Sequence, residues 1–357
     1  MTFAATPALQ AVVDHALAHE TDWPRSMYHP DGAYVGNREW NESGPWTEIV
    51  GPVKPRGGAA GVILHRGQRV ADWGDTTRTD MTFSIAKSYL SVLAGLAVKD
   101  GLITDLDAPV GDSVPGPHFA DDHNGRITWR HMLQMNSEWR GEIFGKDDQV
   151  DHYRQIGPGA DNSRKGQLRK VRPPGSHYEY NDVRVNALAY ALLMRFGRPL
   201  PEVLRARIMD PIGASDDWRW EGYSTSWIEM AGRRVQSVTG GGHWGGGLFI
   251  GADDHARFGQ FICQNGQWNG AQILPEGWMQ QALTPTPTLD KYGFLWWLNR
   301  GAEADPKLPE TAFSAQGAGG HTIWIAPKHD IVAVMRWLAP TATPHFLRQL
   351  FAALADH

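Results

Sequence analysis

A single cysteine, Cys263, stands in the 357-residue chain, so no internal disulfide can form and a reducing compartment is expected. Residues 1–20 lack a positively charged start followed by a long apolar run. No secretory leader is therefore expected, and the reading is cytoplasmic. Excess charge of one sign is lacking too. Lys and Arg number 34 against 39 Asp and Glu, giving a net charge of −5 with both signs interspersed and no basic stripe. Nucleic acid is thus not an expected partner. The most apolar stretch, residues 81–98, is barely long enough to cross a bilayer and holds several hydroxyls and a lysine, so no membrane association is expected. Metal-ligand spacing is missing as well. His118, Asp121, Asp122 and His123 cluster, but no His-x-His or His-Glu-x-x-His accompanies them, and a solvated loop explains them. No metal and no cofactor are expected. No internal repeat or low-complexity tract is found. What remains is an ordinary globular composition, with 41% hydrophobic residues, expected as a monomer or homodimer.

Within that chain the informative segment is residues 81–98, MTFSIAKSYLSVLAGLAV, whose one charge is Lys87. Ser84, Lys87, Ser88 and Ser91 follow i, i+3, i+4, i+7 spacing and share one helix face. The other faces are apolar or small, the pattern of a helix buried on most sides. A buried lysine with no evident carboxylate neighbour is expected to be neutral. A neutral amine one turn from a serine hydroxyl can take its proton and make it a nucleophile. Ser84-Ile85-Ala86-Lys87 is the one Ser-x-x-Lys match in the chain.

Coarse patterning places a helix over residues 7–20 and an irregular surface segment over 23–56. A β-hairpin is expected about His65-Arg66-Gly67, and the buried helix should end at Gly101. Residues 127–135 and 183–196 read as helical, whereas strand-like runs are scarce between about 105 and 234. Strands return at 248–250, 322–326 and 331–337, before a closing helix over 346–354. The expected fold is α+β: an antiparallel sheet flanked by helices, built from residues 1–110 and 236–357, with a mostly helical lobe of residues 111–235 inserted.

Two further segments carry chemistry. Pro174-Gly175-Ser176-His177-Tyr178-Glu179-Tyr180-Asn181-Asp182 leads into a helix that Asp182 is placed to cap. Ala315-Gln316-Gly317-Ala318-Gly319-Gly320 precedes a strand, and its glycines allow backbone N–H groups to approach a ligand.

Together and in this order the segments resemble the serine β-lactamase and penicillin-binding-protein superfamily. More narrowly they resemble its class C-like branch, with carboxylesterases and 6-aminohexanoate-dimer hydrolases. Ser84-Ile85-Ala86-Lys87 matches the Ser-x-x-Lys motif. Residues 174–182 match all but the last position of Pro-Gly-x-x-aromatic-x-Tyr-x-Asn. Residues 101–110, 127–133, 254–259 and 292–297 are similar to family segments, so the resemblance runs from about Gly61 to Trp337. It implies Ser84 as nucleophile, Lys87 and Tyr180 as proton carriers, the backbone N–H groups of Ser84 and Ala318 as oxyanion donors, and Asp182, Gln316 and Gly317 as substrate-binding groups. The sequence departs from the pattern at three places. Ala315-Gln316-Gly317 stands where Lys-Thr-Gly or His-Thr-Gly is common, with His321-Thr322 a less suitable register. Asp182 replaces Asn, and a carboxylate there would hold Lys87 protonated and shift the base role toward Tyr180. Glu138 stands where glycine is common.

The expected function is therefore metal-free acyl transfer by a serine hydrolase on a small ester or linear amide. The alternatives are β-lactamase or D-alanyl peptidase activity, and a non-hydrolytic binding protein that keeps the fold. Missing the third-motif cation weakens recognition of a β-lactam carboxylate. Trp139, Phe144, Tyr178, Trp244 and Trp296 are candidate cleft walls.

Overall fold

The turn at residues 65–67 is the tightest in the main sheet, because Arg66 and Gly67 both take positive φ (51° and 72°). Two such residues make the hairpin turn whose twist suits the strands on either side. The computed structural model describes residues 6–157 and 159–354. Along the chain it contains helix α1 (Pro7–Ala18), the hairpin β1 (Ala60–His65) and β2 (Gln68–Trp73), the short strand β3 (Asp80–Met81), and helix α2 (Ile85–Lys99). Helix α3 (Asp182–Phe196) follows, then β4 (Arg219–Met230), β5 (Arg233–Val238), β6 (Gly247–Ile250) and helix α4 (Ala252–Cys263). Strands β7 (Trp297–Leu298), β8 (Phe313–Gly317), β9 (His321–Ala326) and β10 (Ile331–Arg336) precede the closing helix α5 (Thr343–Leu354).

Six strands form one antiparallel sheet in the order β7-β8-β9-β10-β1-β2, so the first hairpin pairs with the last strand of the chain. Alternation along β10 explains how this sheet separates two layers. Val332 and Val334 pack with α2 and α4, while Ile331, Ala333 and Met335 pack with α1 and α5. Burying each such side chain contributes about 1.5–3 kcal/mol. The expected antiparallel sheet flanked by helices is present.

Two expectations are corrected. Strand β4 and the first two residues of β5 lie in the stretch read as poor in strands, and β4 pairs with β6 in a second, four-stranded sheet ordered β3-β6-β4-β5. Their alternation is masked in the sequence because Gly222, Ser224 and Ser226 interrupt the apolar positions, and the register shifts between Gly222 and Trp227. Residues 23–56, read as surface, bury Met27, Tyr34, Val35 and Trp40 against Phe83 and Trp337.

Glu138 shows why glycine suits its position, since its φ is +51°. A side chain is tolerated there because it is buried among arginines. Its carboxylate accepts from Arg169 (2.5 and 2.7 Å), Arg184 (3.0 Å) and the Arg172 N–H (2.6 Å). Burial pushes the carboxyl up, but Arg169 and Arg184 outweigh it and bring the pKa down to about 2. Removing one side of a buried ion pair leaves the other unpaired, so Glu138→Ala is expected to lose about 3–5 kcal/mol in denaturant unfolding. A depressed folded-state pKa stabilises above the ordinary value of 4.5 and is lost as pH falls toward about 2. Acid unfolding in that window should therefore be less steep in Glu138→Gln than in the wild type.

Candidate active site

The backbone before Ser84 is held from both sides. The Thr82 N–H donates to Leu248 O at 2.9 Å, continuing the β3–β6 pairing, and Phe83 then turns through a positive φ of 49°. A non-glycine residue there carries strain that the surroundings must offset. The Phe83 ring is wedged among Trp23, Trp40, His321 and Trp337, at centroid distances of 5.4 to 6.5 Å. This turn sets half-buried Ser84 at the N-terminus of α2, where the helix dipole favours negative charge.

Lys87 lies one turn on and is 1% exposed. Its Nζ donates to Ser84 Oγ at 2.8 Å and to Gly240 O at 3.0 Å, and it lies 2.5 Å from Asp182 Oδ1. The Asp182 contact is an ion pair rather than an aligned hydrogen bond, since Oδ1 has no hydrogen-bond partner by angle. The expectation that Lys87 has no carboxylate neighbour is thereby corrected. The departure at Asp182 supplies the carboxylate.

Asp182 is the first residue of α3 rather than its cap, because Asn181 accepts from the N–H groups of Val183 and Arg184. Its carboxylate faces inward. Oδ2 accepts from Arg154 Nη1 at 2.7 Å and meets His243 Nδ1 at 2.8 Å. Burial pushes this carboxyl up, but Lys87, Arg154 and the His243 hydrogen bond hold it well below the usual carboxylate range. Asp182 is 4% exposed and its oxygens are engaged by these three side chains, so it stands behind Lys87 rather than at an open wall. Further back, Glu42 Oε1 meets His243 Nε2 at 2.6 Å and pairs with Lys165, which also lies 3.3 Å from Asp151. Glu42, Asp151 and His243 are close enough to surround an ion, but the Lys165 ammonium already sits against both carboxylates as the cation.

Tyr180 is 5% exposed and stacks on Trp297, with centroids 6.0 Å apart. Its ring lies 4.9 Å from Lys87 Nζ and 5.3 Å from the Arg154 guanidinium. The structure thus brings the phenol to the same cluster of charges. Among the described residues no hydrogen bond joins its hydroxyl to Ser84 or Lys87. Gly317, at the end of β8, presses on the backbone before Ser84: a Cβ there would lie 2.2 Å from Thr82 O and 3.3 Å from Ser84 N. That closeness sets Ala318 beside the nucleophile, packed against the Phe83 cluster. Among the described residues neither the Ser84 nor the Ala318 N–H has an acceptor. Exposed Gln316 donates to Ser314 Oγ at 2.9 Å. His321 points into the core and its Nδ1 accepts from Arg336 Nε at 2.9 Å, so only the Ala315 register faces the nucleophile. Burial, followed by Arg336, pushes the His321 imidazole well below its ordinary range.

Of the candidate cleft walls, Trp139, Trp244 and Trp296 are core, and Phe144 and Tyr178 are half-buried. Sequence reasoning missed two contributors. The stretch 240–247, GGGHWGGG, supplies the Gly240 carbonyl and His243, and its glycines are required: a Cβ on Gly240 would lie 2.2 Å from Val185. Its glycine density was the available signal. The N-terminal segment supplies Glu42, for which the sequence offers no local signal. Two surface depressions, of about 660 Å³ around Trp268 and about 570 Å³ around Asn37, do not open on Ser84, but the second is bordered by Glu42.

The family model described as Beta-lactamase matches residues 49–350. An uncharacterised protein of Alkalihalophilus pseudofirmus is 22% identical over 314 residues, 78% of this chain and 82% of that protein. Among solved structures, a penicillin-binding protein homologue from Caulobacter crescentus superposes with a TM-score of 0.61 at 16% identity, covering 99% of both chains. A putative 6-aminohexanoate-dimer hydrolase from Bacillus anthracis gives 0.55 at 21% identity, covering 83% of this chain and 76% of that one. At these identities the likeness is one of fold.

The contact of Gly317 with Thr82 generates a direct test. Gly317→Ala must push β8 off the backbone that precedes Ser84, and overpacking of this kind costs about 1–3 kcal/mol. Denaturant unfolding should register that loss.

Proposed function

The chain belongs to the β-lactamase family, and from that premise we propose that it is a serine hydrolase that cleaves a small ester or linear amide through an acyl-enzyme on Ser84. One observation carries the reading: a buried ammonium donates to a serine hydroxyl at 2.8 Å at the mouth of a helix N-terminus. In this scheme Ser84 Oγ attacks the carbonyl carbon. The negative charge that forms on the carbonyl oxygen is taken by the Ser84 and Ala318 N–H groups, each such donor lowering the barrier by about 2.7–4 kcal/mol.

Lys87, paired with Asp182, acts as a fixed cation that orients Oγ. The Tyr180 oxygen, whose ring lies against the Lys87 and Arg154 cations, then takes the serine proton as the phenol gives up its own. That proton passes to the departing oxygen or nitrogen, completing acylation. Water attacks the ester on Ser84, Tyr180 takes the water proton, and Oγ recovers it as the acid leaves. The absence of a cation at Ala315 supports a substrate without the carboxylate of a β-lactam.

Ser84→Ala should abolish both labelling by a fluorophosphonate and turnover of a short-chain p-nitrophenyl ester, with the unfolding midpoint retained. Full activity in that variant would end the proposal. Lys87→Ala and Tyr180→Phe should each lose at least about 10²-fold in kcat, the scale of a positioned acid or base. Linear amides and a chromogenic cephalosporin assayed beside the ester separate the substrate classes, and turnover of the cephalosporin alone would move the assignment to β-lactamase.

A further inference from the structure

Helices α1 and α5 meet behind the main sheet, on the face away from α2. There α1 buries Leu9, Val12, Val13 and Ala16, and α5 buries Phe346, Leu347 and Leu350 in the same layer. Where the end of α1 reaches the start of α5, three histidines gather. His15 and His19 come from the last turn of α1 and the residue that closes it, four positions apart and so on one face. His345 comes from the first turn of α5. The His15 ring lies 4.1 Å from that of His19 and 4.7 Å from that of His345, centroid to centroid. His15 is half-buried, whereas His19 and His345 are exposed.

Backbone carbonyls fix what two of these rings can offer. A carbonyl oxygen only accepts, so His15 Nε2 carries the hydrogen that meets Ala342 O at 3.2 Å, and His19 Nδ1 carries the one that meets His15 O at 2.8 Å. In the neutral rings His15 Nδ1 and His19 Nε2 therefore hold lone pairs. An imidazole whose other nitrogen donates to a backbone carbonyl is the form in which histidine binds a metal. Burial lowers the His15 pKa, the Ala342 hydrogen bond opposing it and the two neighbouring rings adding to it, which favours the neutral ring. His345 has no hydrogen bond among the described residues, and an exposed ring turns readily to present either nitrogen. The rings are tilted to one another by 32° and 49° rather than arranged around a point. Ion uptake thus requires the two exposed side chains to swing toward His15 Nδ1, and no buried group moves.

We propose that His15, His19 and His345 form a surface site for a divalent transition-metal ion of the zinc class, in which three imidazole nitrogens and water hold the ion and clip α1 to α5. Imidazole donors suit Zn²⁺, Ni²⁺ or Cu²⁺, whereas Ca²⁺ and Mg²⁺ take oxygen. His15 and the Ala342 carbonyl that it meets are 327 positions apart, so a clip here closes nearly the whole chain into one loop. The site lies across the main sheet from Ser84 and is independent of the hydrolase reading.

The test is calorimetric titration of the full-length protein with Zn²⁺. Saturable binding is expected, weakened at least about tenfold in each of His15→Gln, His19→Gln and His345→Gln. At free Zn²⁺ ten times the Kd, the folding equilibrium in denaturant should shift toward the folded state by up to about 11-fold in the wild type, and less in the variants. Ca²⁺ should do neither. His15→Gln also removes the hydrogen bond to Ala342, so the decisive variant is His345→Gln, which loses an exposed side chain and no hydrogen bond. Zn²⁺ binding and stabilisation unchanged in His345→Gln and His19→Gln would place the ion elsewhere and overturn the proposal. Failure of the wild type to bind Zn²⁺ saturably would overturn it too.

Discussion

At 1% exposure the Lys87 head group must find its polar partners inside the protein. Its partners come from three parts of the chain: the Ser84 hydroxyl on its own helix, the Gly240 carbonyl on the glycine-rich loop, and the Asp182 carboxylate at the start of α3. Much of the surrounding architecture follows from keeping those three in place. Asp182 is steadied by Arg154 and His243, His243 by Glu42, and Glu42 by Lys165, so a single buried cation propagates into a network that reaches the N-terminal segment. Such a network is stabilising only while every member is paired, because breaking one contact strands a buried charge.

Close backbone approach is the second constraint. Phe83 holds a left-handed conformation, Gly317 packs on Thr82, and Gly240 packs on Val185, so three chain segments meet with no room for a side chain at the contact. This arrangement brings the end of β8 against the backbone that precedes Ser84.

The sequence made much of this legible. Lys87 in an otherwise apolar run marked the nucleophile helix, since a charge is costly there and persists only with a purpose. Positive-φ positions such as Gly101 and the 65–67 turn were readable because the conformations they need are local. Strands β9 and β10 declared themselves by unbroken apolar composition. Strand β4 did not, because Gly222, Ser224 and Ser226 break its pattern, and its pairing with β6 is a long-range event.

By itself, then, the sequence determined the family, the sheet-and-helix architecture, and the presence of Ser84, Lys87, Tyr180 and Asp182 in one site, because motif spacing and local periodicity encode them. Only the tertiary structure decided which carboxylate Lys87 meets, the inward placement of Asp182, and the recruitment of His243 and Glu42. Those depend on which groups meet across hundreds of residues. Glu42 and His243 are 201 positions apart, and no pattern along the chain records that their side chains meet in a buried, low-dielectric interior.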